Sequence, residues 1–170
     1  MLAAQTATLA TASSDGTPSA RTVLISDVTD DGFWFATSAV SPGGRDLIEN
    51  PSAELVLYLR EQSRQIRVRG AVARGDAERG ADAFHARGPQ SQAVTLAGTQ
   101  SAPLPDDAQT RIDAASERLE ADGSAVDPDW TAFVLAPTEV EFWQSRHGIG
   151  EVRLQYRREP GGWTHERLWP

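Results

Sequence analysis

The sequence predicts a mainly β fold with inserted helices, an antiparallel barrel or sandwich in which residues 1–170 form one domain. Three observations carry this. Runs rich in β-branched and aromatic residues come in pairs joined by turn signals, as hairpins rather than βαβ units. Helical periodicity is confined to a short segment after Ser41 and to the middle of the chain. No G-x-G-x-x-G or P-loop pattern occurs, so the usual dinucleotide and nucleoside-triphosphate folds lose their main support.

The elements follow in order. Ala7 to Ala12 alternates small or polar residues with apolar ones and ends at the hairpin signal Ser14-Asp15-Gly16. Ala20 to Asp27 is a second strand, closed by Asp30-Asp31-Gly32, and Phe33 to Thr37 is a third, giving a meander. Ser41-Pro42-Gly43-Gly44 breaks the chain, and a short helix from Arg45 to Glu49 stops before Asn50-Pro51. Ala53 to Leu59 and Gln65 to Ala73 form the next hairpin, with Ile66, Val68 and Ala71 toward a core and Arg67 and Arg69 outward. Asp76 is a plausible N-cap for a helix from Ala77 to Ala86, and a second helix runs from Gln90 to Ala97. Asp106 to Ala121 is the clearest helix: Ile112, Ala115 and Leu119 form one stripe, with Asp106 and Asp107 at the positive end of the dipole. Four short strands close the chain: Thr131 to Ala136, Glu139 to Gln144, Val152 to Arg157 and Trp163 to Leu168, the last two joined through Gly161-Gly162.

Composition narrows the chemistry. A net charge of −8 argues against nonspecific binding to nucleic acid or an anionic membrane surface. No apolar run is long enough to span a bilayer and no signal peptide is evident, so the expected location is the cytoplasm. Cysteine is absent, which excludes disulfides, thiolate catalysis and cysteine-ligated metals. All 16 basic residues are arginine, which excludes Schiff-base chemistry on a lysine. The three histidines lack metal-ligand spacing, and no metal site is expected.

Arg21 lies in Pro18-Ser19-Ala20-Arg21-Thr22-Val23-Leu24, on a predicted strand among apolar residues. A buried guanidinium needs a partner, either one of the chain's carboxylates or a bound anion. More than a hundred residues later, Val140-Glu141-Phe142-Trp143-Gln144 leads into a C-terminus ending Trp163-Thr164-His165-Glu166-Arg167-Leu168-Trp169-Pro170. Together and in this order, these segments resemble the pyridoxamine 5′-phosphate oxidase family, which folds as an FMN-binding split β-barrel. The resemblance runs from Ala7 to Pro170 and places dimerisation-type strands at residues 131–170. It implies a homodimer whose cofactor sites are shared between subunits. Arg21 matches an arginine on the FMN phosphate, and Thr22, Val23 and Leu24 match residues lining the flavin edge through their backbone. Thr37 matches a threonine on the same phosphate, and Gln65 a glutamine that hydrogen-bonds the isoalloxazine. Gln100-Ser101, Trp143 and Arg153 match further flavin contacts.

The departures from the family pattern are as informative. The phosphate loop, usually Ser-Arg-Lys-Gly, reads Ser41-Pro42-Gly43-Gly44, so two cations are gone; Arg45 and the backbone N–H groups of the glycine-rich turn are the candidate substitutes. Around the substrate, the usual lysine is Ser26 and the usual tyrosine is Ala83, while Arg87 and Ser91 match the arginine and serine that hold the substrate phosphate. The Arg-x-His motif over the substrate ring becomes Ile149-Gly150-Glu151. His147 is a candidate on the substrate side, whereas His85 is read as structural and His165 as exposed. No catalytic residue is assigned. A phosphate site that loses two of four ligands weakens markedly, since charge-assisted hydrogen bonds contribute about 1.5–3 kcal/mol each.

The expected function is therefore that of an FMN-dependent oxidoreductase, oxidising a C–N or reduced-ring substrate other than pyridoxamine phosphate, with dioxygen as acceptor. Two alternatives keep the fold: a deazaflavin-dependent reductase, and a non-catalytic flavin-binding or empty dimer.

Overall fold

The computed structural model describes residues 6–146, 148 and 150–170. Eight strands form one antiparallel sheet: β1 (Thr6–Ala12), β2 (Pro18–Thr29), β3 (Gly32–Ser38), β4 (Ser52–Leu59), β5 (Arg64–Arg74), β6 (Trp130–Arg146), β7 (Gly150–Glu159) and β8 (Gly162–Leu168). The order is β3-β2-β1-β4-β5-β6-β7-β8, and β3 also pairs with β6. That extra pairing closes six strands into a barrel and leaves β7 and β8 as an extension beyond it. Helix α1 (Pro42–Glu49) follows β3; α2 (Ala77–His85), α3 (Pro89–Ala97) and α4 (Ala108–Ala121) lie between β5 and β6. Among the described residues, no helix is long and apolar enough to cross a membrane.

The barrel interior is filled by inward residues of successive strands. Leu9, Phe35, Leu55, Val68, Phe133 and Leu135 are each at most 1% exposed, and burying a side chain of this size contributes about 1.5–3 kcal/mol. Phe35 and Phe133 stack at 5.9 Å, and Leu47 of α1 plugs one end of the same cluster. A smaller cluster of Trp34, Ala132 and Val134 lies on the other face, where Arg79 of α2 rests 3.8 Å over the Trp34 ring.

The predicted mainly β architecture is the observed one, with local corrections. The strands predicted at residues 131–136 and 139–144 are a single strand, β6. Pro137 has no N–H to donate, but the β5–β6 register shifts at this point, with Gly70 opposite Pro137 and Arg69 opposite Glu139. A bulge accepts a proline that a regular ladder rejects. Gly70 is the other half of this feature, since a Cβ there would stand 1.9 Å from the Ala136 carbonyl oxygen. Ala71, expected inward, faces outward; Gly70 and Val72 are buried because the slip falls on β6 and leaves the alternation of β5 unbroken.

Helix α1 starts three residues before the predicted Arg45. Ser41 caps it, its Oγ accepting from Gly44 N at 3.1 Å, and Pro42 occupies the first turn, where a missing N–H costs nothing. Helix α4 begins at Ala108 rather than Asp106, and Asp107 accepts from Arg111 Nε at 2.9 Å instead of capping the backbone. Asp76 does cap α2 through Arg79 N at 2.8 Å.

Candidate functional site

The expected site residues fall into three places. At the first, β2 sets Arg21 opposite the core residue Leu9 of β1, so its side chain points to the end of the barrel closed by α1. Its Nη1 donates to Thr11 Oγ1 at 2.6 Å and to the Leu9 carbonyl at 3.4 Å, and Nη2 donates to Ser19 Oγ at 2.6 Å. Asp46 Oδ2, which accepts from Thr11 Oγ1 at 2.6 Å, lies 3.7 Å from Nη2. The opening turn of α1 rests on this guanidinium: a Cβ on Gly43 would stand 3.0 Å from Arg21 Cζ, and one on Gly44 would stand 2.2 Å from the Ser38 carbonyl oxygen. Gly43 lets the helix lie close against the arginine, and Gly44 lets it lie close against the end of β3. Arg45 does not join the group; it is exposed, and its Nη1 donates to the Val40 carbonyl.

Beside Arg21, β2 pairs with β1 at Thr22, Val23 and Leu24, but with β3 only from Ile25 onward. Among the described residues, the other edge of Arg21–Leu24 therefore carries no strand partner. Val23 is in the core, while Thr22 and Leu24 are exposed.

The second place is the end of β3. Thr37 Oγ1 donates to Gln100 Oε1 at 3.4 Å, and so does the Ser38 backbone N–H at 3.4 Å. Gln100 and Ser101 lie in the stretch between α3 and α4, and Ser101 holds a left-handed backbone, φ 68°. With Ser38 they line a cavity of about 690 Å³ that also contains Arg87 and Trp130. Arg87 lies 4.0 Å over the Trp130 ring and donates to Thr95 Oγ1. Burial lowers its affinity for the proton, and Asp127 partly opposes that. Ser91, its expected companion on a substrate phosphate, is on the exposed first turn of α3 and does not line this cavity.

The third place is a row across β5, β6 and β7, where Gln65 pairs with Trp143 and Trp143 with Arg153. Directly opposed residues share a face, so the three side chains adjoin. Trp143 Nε1 donates to Glu151 Oε2 at 3.2 Å. Arg153 Nη1 lies 3.5 Å from Glu141 Oε1, whose carboxylate is nearly buried and is also 3.5 Å from Arg67 Nη1. Arg153 Nε is buried without a partner. The same face continues as a lattice of ion pairs: Arg67 and Arg69 on Glu54, Arg69 and Arg157 on Glu139, and Arg157 on Glu166.

The first two places are joined through Gly43, Gly44 and Ser38. The third is remote from Thr37. Thr37 pairs with Thr131 at the start of β6, and Trp143 lies about 40 Å farther along that strand at about 3.3 Å per residue. His147, and Ile149 of the altered motif, lie outside the described residues. His85 packs edge-on against Phe84 and His165 stacks on Tyr156 at 5.4 Å, both on the surface. Sequence reasoning missed Thr11, Ser19 and Asp46 around Arg21, and Glu141 and Glu151 in the row. The alternation of Arg67 and Arg69 against Glu139 and Glu141 was the available signal for the ion pairs; nothing in the sequence marks Asp46.

Comparison with known proteins bears on this arrangement. Residues 2–144 match the model of the pyridoxamine 5′-phosphate oxidase family, and residues 130–170 match the pyridoxine 5′-phosphate oxidase C-terminal dimerisation region, which begins where β6 begins. The pyridoxine/pyridoxamine 5′-phosphate oxidase of Salinibacter ruber is 42% identical over 168 residues, 96% of this chain and 78% of that one. The enzyme of the same name from Deinococcus deserti is 40% identical over 166 residues, 95% of this chain and 78% of that one. Among solved structures, PhzG from Burkholderia lata, in complex with tetrahydrophenazine-1-carboxylic acid, superposes with a TM-score of 0.88 at 31% identity, covering 99% of this chain and 83% of that one.

Proposed function

Because the chain belongs to the pyridoxamine 5′-phosphate oxidase family, we propose that it is an FMN-dependent oxidoreductase working as a homodimer with cofactor sites shared between protomers. The proposed reaction is oxidation of a C–N or reduced-ring substrate, with dioxygen as acceptor. One observation carries the shared site: Thr37, paired with Thr131, and Trp143 lie at opposite ends of β6, separated by about 40 Å of strand, so one protomer does not bring its row onto its own Thr37 end, and neither group is a complete site. A second copy that brings its Gln65–Trp143–Arg153 row to the Arg21–Thr37 end of the first would complete both.

The donor set suits FMN. The unpaired backbone edge at Arg21–Leu24 offers N–H and C=O groups to the edge of a planar ring, and the unpartnered Arg153 Nε lacks the acceptor a polar ring edge would supply. At the phosphate end the holders would be Arg21, Thr37 and the turn at Gly43. Along the ring they would be the backbone of Thr22, Val23 and Leu24, with Gln100, Ser101, Gln65, Trp143 and Arg153. Bound FMN supplies a two-electron acceptor for a hydride equivalent. The chain's own part is positioning. Glu151 fixes the Trp143 ring through its N–H. Glu141 and Glu54 together offset the charges of Arg153 and Arg67 beside the row.

Substrate class follows from what surrounds Arg87. With Ser26 and Ala83 at the positions of the usual lysine and tyrosine, two of the expected ligands of a phosphate are replaced, while Arg87 and Ser91 stay linked through Thr95 Oγ1. That favours a substrate other than pyridoxamine phosphate. The reduced-ring carboxylic acid bound by PhzG supports the ring class.

The test is complementation between chains. Arg21→Ala and Trp143→Ala are each expected to lose FMN while keeping the wild-type melting curve. A mixed dimer of the two variants contains one intact site and should regain one FMN per dimer. If the mixed dimer stays empty while both variants fold, the shared site is wrong. Mass spectrometry of the cofactor released from wild-type protein decides the rest: a deazaflavin would move the function to the reductase reading, and no cofactor would move it to the empty dimer.

A further inference from the structure

At the barrel end closed by α1, Arg21 is the cation that faces the turn at Gly43. Three of its N–H groups are engaged, Nη1 on Thr11 Oγ1 and the Leu9 carbonyl, Nη2 on Ser19 Oγ. That leaves Nε–H and one N–H of Nη2 for an anion, and the side chain is 26% exposed. Two such donors match two oxygens of one phosphate. Asp46 holds this guanidinium in place. Its Oδ2 accepts from Thr11 Oγ1 at 2.6 Å, which commits the hydroxyl hydrogen to the carboxylate and turns a lone pair to Arg21 Nη1, also at 2.6 Å. The same Oδ2 lies 3.7 Å from Nη2. The Asp46 side chain is only 13% exposed, so water and salt screen this pair less than they screen a surface pair. Asp46 therefore orients Arg21 and offsets its charge at once. The neighbouring turn does not restore the balance: Pro42 and Gly43 are uncharged, and Arg45 donates to the Val40 carbonyl.

We propose that Asp46 limits how tightly this chain holds a phosphorylated flavin. The carboxylate fixes the arginine but offsets its charge, so the phosphate adds little to binding and a flavin without phosphate competes with FMN. This role of Asp46 rests on the proposed function, and it is a positioning role, exerted through Thr11 and Arg21. A phosphate on that guanidinium would share the arginine's charge with Asp46 and be repelled by the carboxylate. Removing Arg21 leaves the phosphate to meet Asp46 unopposed, so the expected loss of FMN in Arg21→Ala is larger than the net contribution of the phosphate in wild type.

The test is fluorescence titration of flavin-free protein with FMN and with riboflavin, which has the same ring and lacks the phosphate. Wild type should bind FMN no more than about tenfold tighter than riboflavin, whereas two uncompensated charge-assisted bonds would give more than about a hundredfold. Asp46→Asn keeps an oxygen to accept from Thr11 and removes the charge. It should tighten FMN by about tenfold and leave riboflavin within about twofold of wild type. Asp46→Ala removes the acceptor as well and should gain less for FMN than Asp46→Asn, because Thr11 and Arg21 are released. A merely structural role would shift both flavins alike. The wild-type comparison needs no substitution, so it decides even where a variant does not fold. A wild-type preference for FMN above about tenfold, FMN affinity unchanged or weaker in folded Asp46→Asn, or an equal shift of both flavins overturns the proposal and leaves the proposed function standing. Binding of neither flavin by any of the three proteins overturns both.

Discussion

The two halves of β6 share a backbone and differ in everything around it. From Trp130 to Ala136 the strand belongs to the closed barrel, and Thr131 through Leu135 are all buried, on both faces. From Glu139 onward it belongs to the extension. There one face carries Glu139, Glu141 and Trp143 among arginines, and the other carries Val140 and Phe142, the latter 43% exposed. The first half reads as a near-continuous apolar run and the second as strict alternation, the patterns expected of two-sided and one-sided burial. Within a single strand the chain passes from a segment that holds the barrel together to one with a charged face and a half-exposed apolar face.

The sharpest way to break that comparison is to make the same substitution in each half. Phe133, 1% exposed and stacked on Phe35, should cost about 3–5 kcal/mol on replacement by alanine. Phe142→Ala should cost less than about 1.5 kcal/mol in the isolated chain, because half of that ring already meets solvent. Its larger effect should be a dimer that dissociates at higher protein concentration. Denaturant unfolding and sedimentation velocity measure the two. Equal losses of stability would mean that the extension is core, not interface.

A smaller contrast lies at the bulge that divides the halves. Gly70→Ala drives a Cβ into the Ala136 carbonyl and should cost about 1–3 kcal/mol as the ladder shifts. Pro137→Ala, on the opposite side of the same pair, should change stability by less than about 1 kcal/mol, chiefly by loosening the unfolded chain. If the proline substitution proves the costlier one, the bulge depends on proline rigidity rather than on the glycine gap. Thermal unfolding of the two variants decides.

How much was legible beforehand follows the same division. The barrel strands were readable because Phe33-Trp34-Phe35 and Ala132-Phe133-Val134-Leu135 are apolar enough to need two-sided burial, whatever their partners. The continuity of β6 was not, because Pro137 is a strand breaker unless a bulge receives it, and that bulge depends on Gly70 more than sixty residues away. Arg21 was singled out correctly as a charge in need of partners. Thr11 and Ser19 are its partners through the β1–β2 register, and Asp46 through the packing of α1 over the barrel end. The row of Gln65, Trp143 and Arg153 came from family resemblance. Their register explains why residues so far apart in sequence belong together, and their distance from Thr37 is a property that no local pattern encodes.

The weakest expected effect concerns the ion-paired face that runs from β4 to β8, and its direction follows from charge alone. Burial by itself would raise the Glu54 carboxyl, but hydrogen bonds and charge from Arg67 and Arg69 outweigh it and hold the group below its ordinary value of 4.5. A carboxyl whose folded value is depressed contributes stability that is fully present above the unfolded value and is lost as pH falls through the folded one. Glu54→Gln removes that contribution at every pH. The variant should therefore be less stable than wild type near neutrality, by about 1 kcal/mol or less because both arginines keep contact with water. The gap should close as pH is lowered from about 5 to about 3, and it should narrow with added salt at neutral pH. Urea midpoints across that range measure it. A gap independent of pH would assign Glu54 a packing role, and the lattice joining β4 to β8 would then be a consequence of the fold rather than a contributor to it.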